Sequence, residues 1–272
     1  MLRPFSDSPS PRSTAAPVWE RTSGERRQLT NPEQHVLGEA LERCSRRFDE
    51  SPFFRCLAAG AMTPSVMKYV FGQYGHFRLQ LHRWFAVCIL LAKDASQPAQ
   101  REAILGLAHH IFTDVRDNHD LLFAELLHQL GFPAGTLCAE TVSPATAAYT
   151  ESFLDYLRQP TATWFETAAA LGGRELSVVL RNQRLLKSYF VPHSVTEPRW
   201  ITLHAELEAD HFLDVVTPLL QQQDGDVTRL ETVWAPIDRA FGRHAEYLDA
   251  LLQEHEEENH PAARQRGILA AR

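Results

Sequence analysis

The chain has 272 residues, an apolar fraction of 44% and a net charge of -7, from 27 Lys plus Arg against 34 Asp plus Glu. That composition can bury a sizeable core, and it excludes a globally disordered chain and argues against a nucleic-acid partner, which wants a basic face. No apolar run approaches the roughly 18 residues of a membrane span, so no membrane association is expected. The longest run, Trp84 to Ala92, is short and reads as a core helix.

Residues 1–28 are rich in Ser, Pro, Thr and Arg and read as a disordered tail. Met1-Leu2-Arg3-Pro4 leads into no apolar stretch, so no secretory signal is expected; Asp7, Glu20 and Glu25 count against a transit peptide. Four widely spaced cysteines (Cys44, Cys56, Cys88, Cys138) contain no CxxC, which argues against a disulfide framework or a zinc ribbon. The expected location is the cytoplasm.

From residue 30 the pattern is helical. Thr30-Asn31-Pro32-Glu33 caps a first helix to about Arg47. A short second one covers 51–59 and stops at Gly60. Thr63-Pro64 opens a third, whose apolar residues repeat at 3-4 spacing from Met67 to Leu91. A fourth spans about 97–113 and a fifth about 117–130, ending at Gly131. After a Pro/Gly-rich loop, Ser143-Pro144 opens a sixth that ends before Pro160. A seventh covers 162–189, an eighth runs from Thr196-Glu197-Pro198 to about 222, and Asp226 caps a ninth that ends in the acidic run Glu254–Glu258. No segment alternates with period two for long enough to be a strand, and no internal repeat, phosphate-binding loop or nucleophile elbow is present. The expectation is one all-α bundle over residues 29–258, with a frayed C-terminal tail at 259–272 and chemistry carried by side chains pointing into the core.

Three places hold such side chains. In His204-Ala-Glu-Leu-Glu208-Ala-Asp-His211, positions 204, 208 and 211 of a continuous helix lie within about 40° of one direction. Leu203, Leu207 and Val215 lie near that side, so the stripe faces inward. Ionisable groups on an inward stripe are costly unless paired or bound to metal, and two imidazoles with a carboxylate suit Zn, Fe or Mn. Glu175 follows Gly172 and Gly173 in an apolar helix centre, where small residues admit another helix or a ligand; a salt bridge to Arg174 or Arg181 is the alternative. Asp114 could close one helix and His119 open the next, with His119, Leu122, Leu126 and Leu130 sharing one face. His110, four residues before Asp114, is a competing ligand candidate.

The ordered set of His204-x3-Glu208-x2-His211, a lone Glu about thirty residues upstream, and a carboxylate followed by His before a helix ending Leu-Gly resembles the heme-oxygenase-like diiron oxidases and oxygenases. These are related to the thiaminase II and pyrroloquinoline-quinone synthase group. Phe71-Gly72-Gln73-Tyr74, the run Trp84–Leu91, and the stretch from His119 through Ala124 to Gly131 add to the likeness, which spans about residues 50–222. It implies a heme-oxygenase-like bundle of about seven core helices. It also implies six ligands for two Fe2+ ions: Asp114, His119, Glu175, His204, Glu208 and His211. The sequence departs from the family in having Asp at 114 where Glu is usual and Glu at 208 where Asp is usual, and the interval from Asp114 to His119 is short. The implied activity is O2-dependent oxidation of a small carboxylic acid, an amino acid or amino-acid-derived metabolite, by N-oxygenation, desaturation or C–C cleavage in a biosynthetic pathway. O2 would be the co-substrate, an external donor would supply electrons, and a homodimer is a common assembly of such bundles. Arg174, Arg181 and Tyr74 are candidates for binding the substrate; Arg78 and Arg83 are weaker ones. Phe71, Tyr74, Phe77, Trp84, Phe85 and Phe123 line the pocket or are plain core. The alternatives are a metal-independent enzyme of the thiaminase or quinone-synthase kind and a fatty-acid decarboxylating oxidase. The thiaminase reading needs a reactive Cys, and Cys88 sits in an apolar run that favours inert packing.

Overall fold

Capping residues set the first helices of the structure, a computed structural model that describes residues 28–92, 97–158, 164–195, 197–222 and 231–259. Thr30 and Glu33 form a reciprocal capping box that starts α1 (Asn31–Glu50). Ser51 caps α2 (Pro52–Ala58) and Thr63 caps α3 (Pro64–Arg78), each with proline in the first turn, where its missing N–H costs nothing. Then follow α4 (Leu81–Leu91), α5 (Pro98–Arg116), α6 (His119–Gln129), α7 (Pro144–Arg158) and α8 (Trp164–Leu185). The end of α8 widens into a π-turn over Leu186–Phe190. The chain closes with α9 (Arg199–His204), α10 (Leu207–Gln222) and α11 (Glu231–Asn259). There is no strand among the described residues, and no helix among them is long and apolar enough to cross a membrane.

α8 is the central helix, packed against α10 and α11, and α10 packs in turn on α5. Its glycines serve these contacts. A Cβ on Gly173 would come within 3.2 Å of Ile237 on α11, and one on Gly172 would meet Phe212 and Val215 of α10 at 3.5 Å. Gly106 plays the same part on α5, where a Cβ would sit 3.0 Å from that of Asp214.

Two long helices expected from the sequence are broken. The run from Met67 to Leu91 divides at Leu79–Gln80 into α3 and α4, and the segment expected as one helix from 196 to 222 divides at Ala205–Glu206 into α9 and α10. No Gly or Pro marks either break. Each half keeps its own buried face, so tertiary packing favours the turn over one straight axis. The expected disordered tail at 1–28 falls on undescribed residues save for Gln28, the expected frayed end at 259–272 likewise save for Asn259, which closes α11, and the cap at Asp226 lies outside the described residues.

Candidate metal centre

Two clusters of donor atoms occupy the interior where α5, α6, α8, α9 and α10 meet. In the first, His110 (α5), Glu175 (α8) and His211 (α10) each place one donor atom within 4.8 Å of the others. In the second, Asp114 (α5), His119 (α6) and His204 (α9) do the same. Each cluster is two imidazoles and one carboxylate. Asp114 joins them: its Oδ1 lies 2.6 Å from His119 Nδ1, and its Oδ2 lies 3.6 Å from His110 Nε2. The His110 and His211 rings lie 3.7 Å apart, and those of His119 and His204 lie 4.8 Å apart.

Local structure aims each group. Asn118, in the left-handed region with φ 53°, turns the chain between α5 and α6. Asparagine tolerates that conformation better than most residues. The reversal brings His119, the first residue of α6, back onto Asp114 in the last turn of α5. The break at Ala205–Glu206 takes His204 off the axis of α10, so His204 joins the second cluster and His211 the first. His204 donates from Nδ1 to the Trp200 carbonyl at 2.7 Å, because a carbonyl can only accept, which leaves Nε2 as the acceptor nitrogen. The Trp200 ring stacks on it at 4.3 Å. Glu175 Oε1 accepts from Arg174 at 2.6 Å, and Arg174 also donates to Tyr74 Oη at 2.5 Å.

The electrostatics prepare the clusters for a cation. Burial, reinforced by His119, holds His204 well below the usual histidine range. Burial, reinforced by His110, does the same to His211. Both rings are therefore neutral at pH 7, as ligation requires. Burial would raise the Asp114 carboxyl, but His110 and His119 outweigh it and hold Asp114 well below the carboxylate range. Burial would lower His110, but Asp114 outweighs it and the net shift is upward.

The donor sets fit a divalent metal. Buried polar atoms are ordinarily hydrogen-bonded. Here His110 Nδ1, both ring nitrogens of His119, Asp114 Oδ1 and Glu175 Oε2 are buried without a hydrogen bond. The 2.6 Å approach of Asp114 to His119 lacks hydrogen-bond alignment. Unsatisfied atoms from several elements converging on two points are what an ion would satisfy.

Of the six residues expected as ligands, the structure brings together Asp114, His119, Glu175, His204 and His211; the Glu208 side chain lies outside those described. The expected single stripe at 204, 208 and 211 is corrected by the helix break, which divides His204 and His211 between two clusters. His110 takes a full place in the first cluster. Its i,i+4 spacing to Asp114 was the signal, since such pairs share a helix face. Arg174, Arg181 and Tyr74 lie in the interior. Arg174 holds Glu175, and Arg181 lies over the Tyr74 ring at 4.4 Å and bonds Asn182 through Nε at 3.0 Å.

Two spaces adjoin the clusters. A small one of about 10 Å³ beside His110, Glu175 and His211 is walled by Phe85, Leu107, Leu171 and Val215. A cleft of about 320 Å³ opens between the α3–α4 corner and the α5–α6 corner, with His110 and Asp114 in its lining.

No protein-family description matches the sequence, and no curated protein matches it. Solved structures do. A TenA homologue from Pseudomonas syringae pv. tomato is 12% identical, covers 87% of this chain and 100% of its own, and superposes with a TM-score of 0.63. A domain of unknown function with a heme oxygenase-like fold from Shewanella denitrificans is 16% identical over 83% of this chain and 94% of its own, with a TM-score of 0.61. A CADD-like protein of unknown function from Nostoc punctiforme is 13% identical over 83% and 97%, with a TM-score of 0.56. The helix order, the central α8 and these superpositions together give the chain the heme-oxygenase-like fold.

Proposed function

We propose that the chain is a nonheme diiron oxidase or oxygenase that uses O2 on a small carboxylic acid, most simply an amino acid or a metabolite derived from one. The observation that carries this reading is the pair of two-His, one-carboxylate clusters, the first wholly buried and the second buried but for Asp114, which joins the two. That ligand set leaves coordination positions open and suits ferrous iron in O2-using enzymes. Bound iron would supply the one-electron and O2 chemistry that side chains lack, with an external donor restoring the reduced state.

The chain's own residues do the rest. His110, Glu175 and His211 would hold one ion, and Asp114, His119 and His204 the other, with Asp114 reaching both. Arg174 fixes Glu175, and the Trp200 carbonyl fixes the His204 tautomer, so the ligands are oriented before metal arrives. Phe85, Leu107, Leu171 and Val215 keep the small space beside the first cluster apolar, which excludes stray water from the reaction.

The metal-independent alternative of the thiaminase kind needs a thiolate. Cys88 is wholly buried and its thiol is pushed up to about 12 by burial, which opposes that role. Anaerobic Fe(II) titration with metal analysis tests the proposal. About two irons per chain are expected, falling in His204→Ala and Glu175→Ala. Absent saturable binding, or binding equal in all three proteins, would overturn it.

A further inference from the structure

A groove of about 870 Å³ lies between α3, the 131–143 loop and the C-terminal end of α11. None of its lining residues belongs to either donor cluster. Gln73 holds its shape: Nε2 donates to the Thr141 carbonyl at 3.0 Å, and the Ser143 N–H donates to Oε1 at 2.8 Å. Phe132, Ala139 and Val142 give it apolar surface, and Val142 is 53% exposed. Its charge is mostly negative, from Glu254, Glu257 and Glu258. Lys68, the one Lys or Arg in the lining, donates to the Gly131 carbonyl at 2.7 Å.

These acids stand where a helix does not favour them. Free carbonyls give a helix C-terminus partial negative charge, which attracts cations and repels carboxylates, yet α11 has no base in its last turn. Glu254 is satisfied by Tyr69 Oη at 3.2 Å and the Ala145 N–H at 2.8 Å. Glu257 and Glu258 pair with no Lys or Arg among the described residues. The groove is thus acidic and partly apolar, and a cationic segment with apolar residues complements it.

The sequence supplies such a segment at the groove itself. α11 closes at Asn259, which lines the groove. The next thirteen residues, 260–272, contain Arg264, Arg266 and Arg272, the apolar pair Ile268-Leu269, and no Asp or Glu. Pro261 disfavours helical backbone at the residue before it, so the sequence favours a change of direction just past α11. Thirteen extended residues reach up to about 45 Å, several times the diameter of a helix.

We propose that residues 260–272 fold back into this groove. Arg264 and Arg266, which share one side of an extended segment, pair with Glu257 and Glu258, while Ile268 and Leu269 cover Phe132 and Val142. Attachment at the groove mouth makes weak contacts sufficient. A tethered segment is at about millimolar effective concentration, so an intrinsic Kd near 0.1 mM docks it about nine-tenths of the time. A free basic peptide lacks that advantage. The segment is then a strap over the α3–α11 seam rather than the frayed end that its composition suggests, and the inference does not depend on the metal reading.

Amide hydrogen exchange of the full chain, read by mass spectrometry, tests it. At about 50 mM salt, amides of 260–272 should exchange about tenfold more slowly than in a free peptide of the same sequence. In about 1 M salt, where screening acts within about 3 Å, that protection should fall severalfold. Arg264→Glu with Arg266→Glu should bring exchange to the free-peptide rate, and adding Glu257→Arg with Glu258→Arg should restore protection. Exchange at the free-peptide rate in the unaltered chain overturns the inference. So does protection that ignores both charge reversals, which would place the segment elsewhere. Protection that falls on tenfold dilution would mean that a second copy supplies the segment, and overturns the fold-back.

Discussion

The two donor clusters contain the same residue types but rest on different parts of the helices. His110, Glu175 and His211 project from helix interiors, on α5, on the central α8 and on α10, and all three are buried. Asp114, His119 and His204 sit at helix ends: the last turn of α5, the first residue of α6 and the last residue of α9. Asp114 is also partly exposed, with 27% of its side chain accessible. A helix interior is held by packing and backbone hydrogen bonds along its length, whereas a helix end is held by its cap and the adjoining turn. The first cluster is therefore expected to be the rigid one and to keep its ion more firmly. The second depends on the Asn118 turn and the Ala205–Glu206 break.

The largest effect is expected at Glu175. Glu175→Ala removes a proposed ligand and leaves the Arg174 guanidinium buried without its carboxylate, at a cost on the order of 3–5 kcal/mol. Denaturant unfolding should show this in the metal-free protein; a loss below about 1 kcal/mol would mean that Arg174 finds another partner and that the first cluster is not rigid. His204→Ala should instead take the iron content from about two per chain to about one while the first cluster stays filled. Loss of both ions would show that the clusters load as one unit. The turn gives a subtler test. Asn118→Gly should leave iron binding near wild type, whereas Asn118→Val places a branched side chain at positive φ and should cost about 1–2 kcal/mol. If the contrast between clusters is right, Asn118→Val weakens the second iron and spares the first in a stepwise titration.

The smallest effect concerns a buried histidine outside both clusters. His244 on α11 is fully buried, and neither ring nitrogen has a hydrogen bond. Burial, reinforced by Arg181 and Arg174, holds it well below the usual histidine range. The unfolded chain takes up a proton near pH 6.5 that the folded chain does not, so stability is complete above that pH and falls as the pH drops below it. His244→Leu should flatten part of this acid loss and raise stability at pH 7 by about 1 kcal/mol, since the unsatisfied nitrogens are gone. Iron content should not change. Urea melts at pH 7 and pH 5, with metal analysis, check this, and a drop in iron would place His244 in the metal chemistry.

Much of this arrangement could be read from the sequence because helix periodicity and capping are local signals. Thr30, Ser51 and Thr63 each mark a helix start that the structure keeps. Asp114, His119, Glu175, His204 and His211 stand out because ionisable groups on apolar faces need a reason to be there. What stayed hidden were the breaks at Leu79–Gln80 and Ala205–Glu206, which carry no Gly or Pro and arise from packing between distant segments. Without the second break, His204 and His211 appear to serve one ion. For Arg174 the sequence offered two roles, a salt bridge to Glu175 and a substrate contact, and the fold places it against Glu175 and Tyr74. His110 was visible through its spacing to Asp114, but its place beside Glu175 depends on how closely α5 and α8 approach α10.

That close approach rests on Gly106 and Gly172, which let α5 and α8 come up against Asp214, Phe212 and Val215 of α10. These glycines act as a caliper on the first cluster. They set the separation of the three helices that carry His110, Glu175 and His211, and hence the radius of the sphere on which those donors sit. On the proposed metal reading, ion preference there follows backbone spacing as much as ligand identity. Gly106→Ala, which forces a Cβ to within 3.0 Å of Asp214, would widen the gauge and shift the preference toward larger divalent ions.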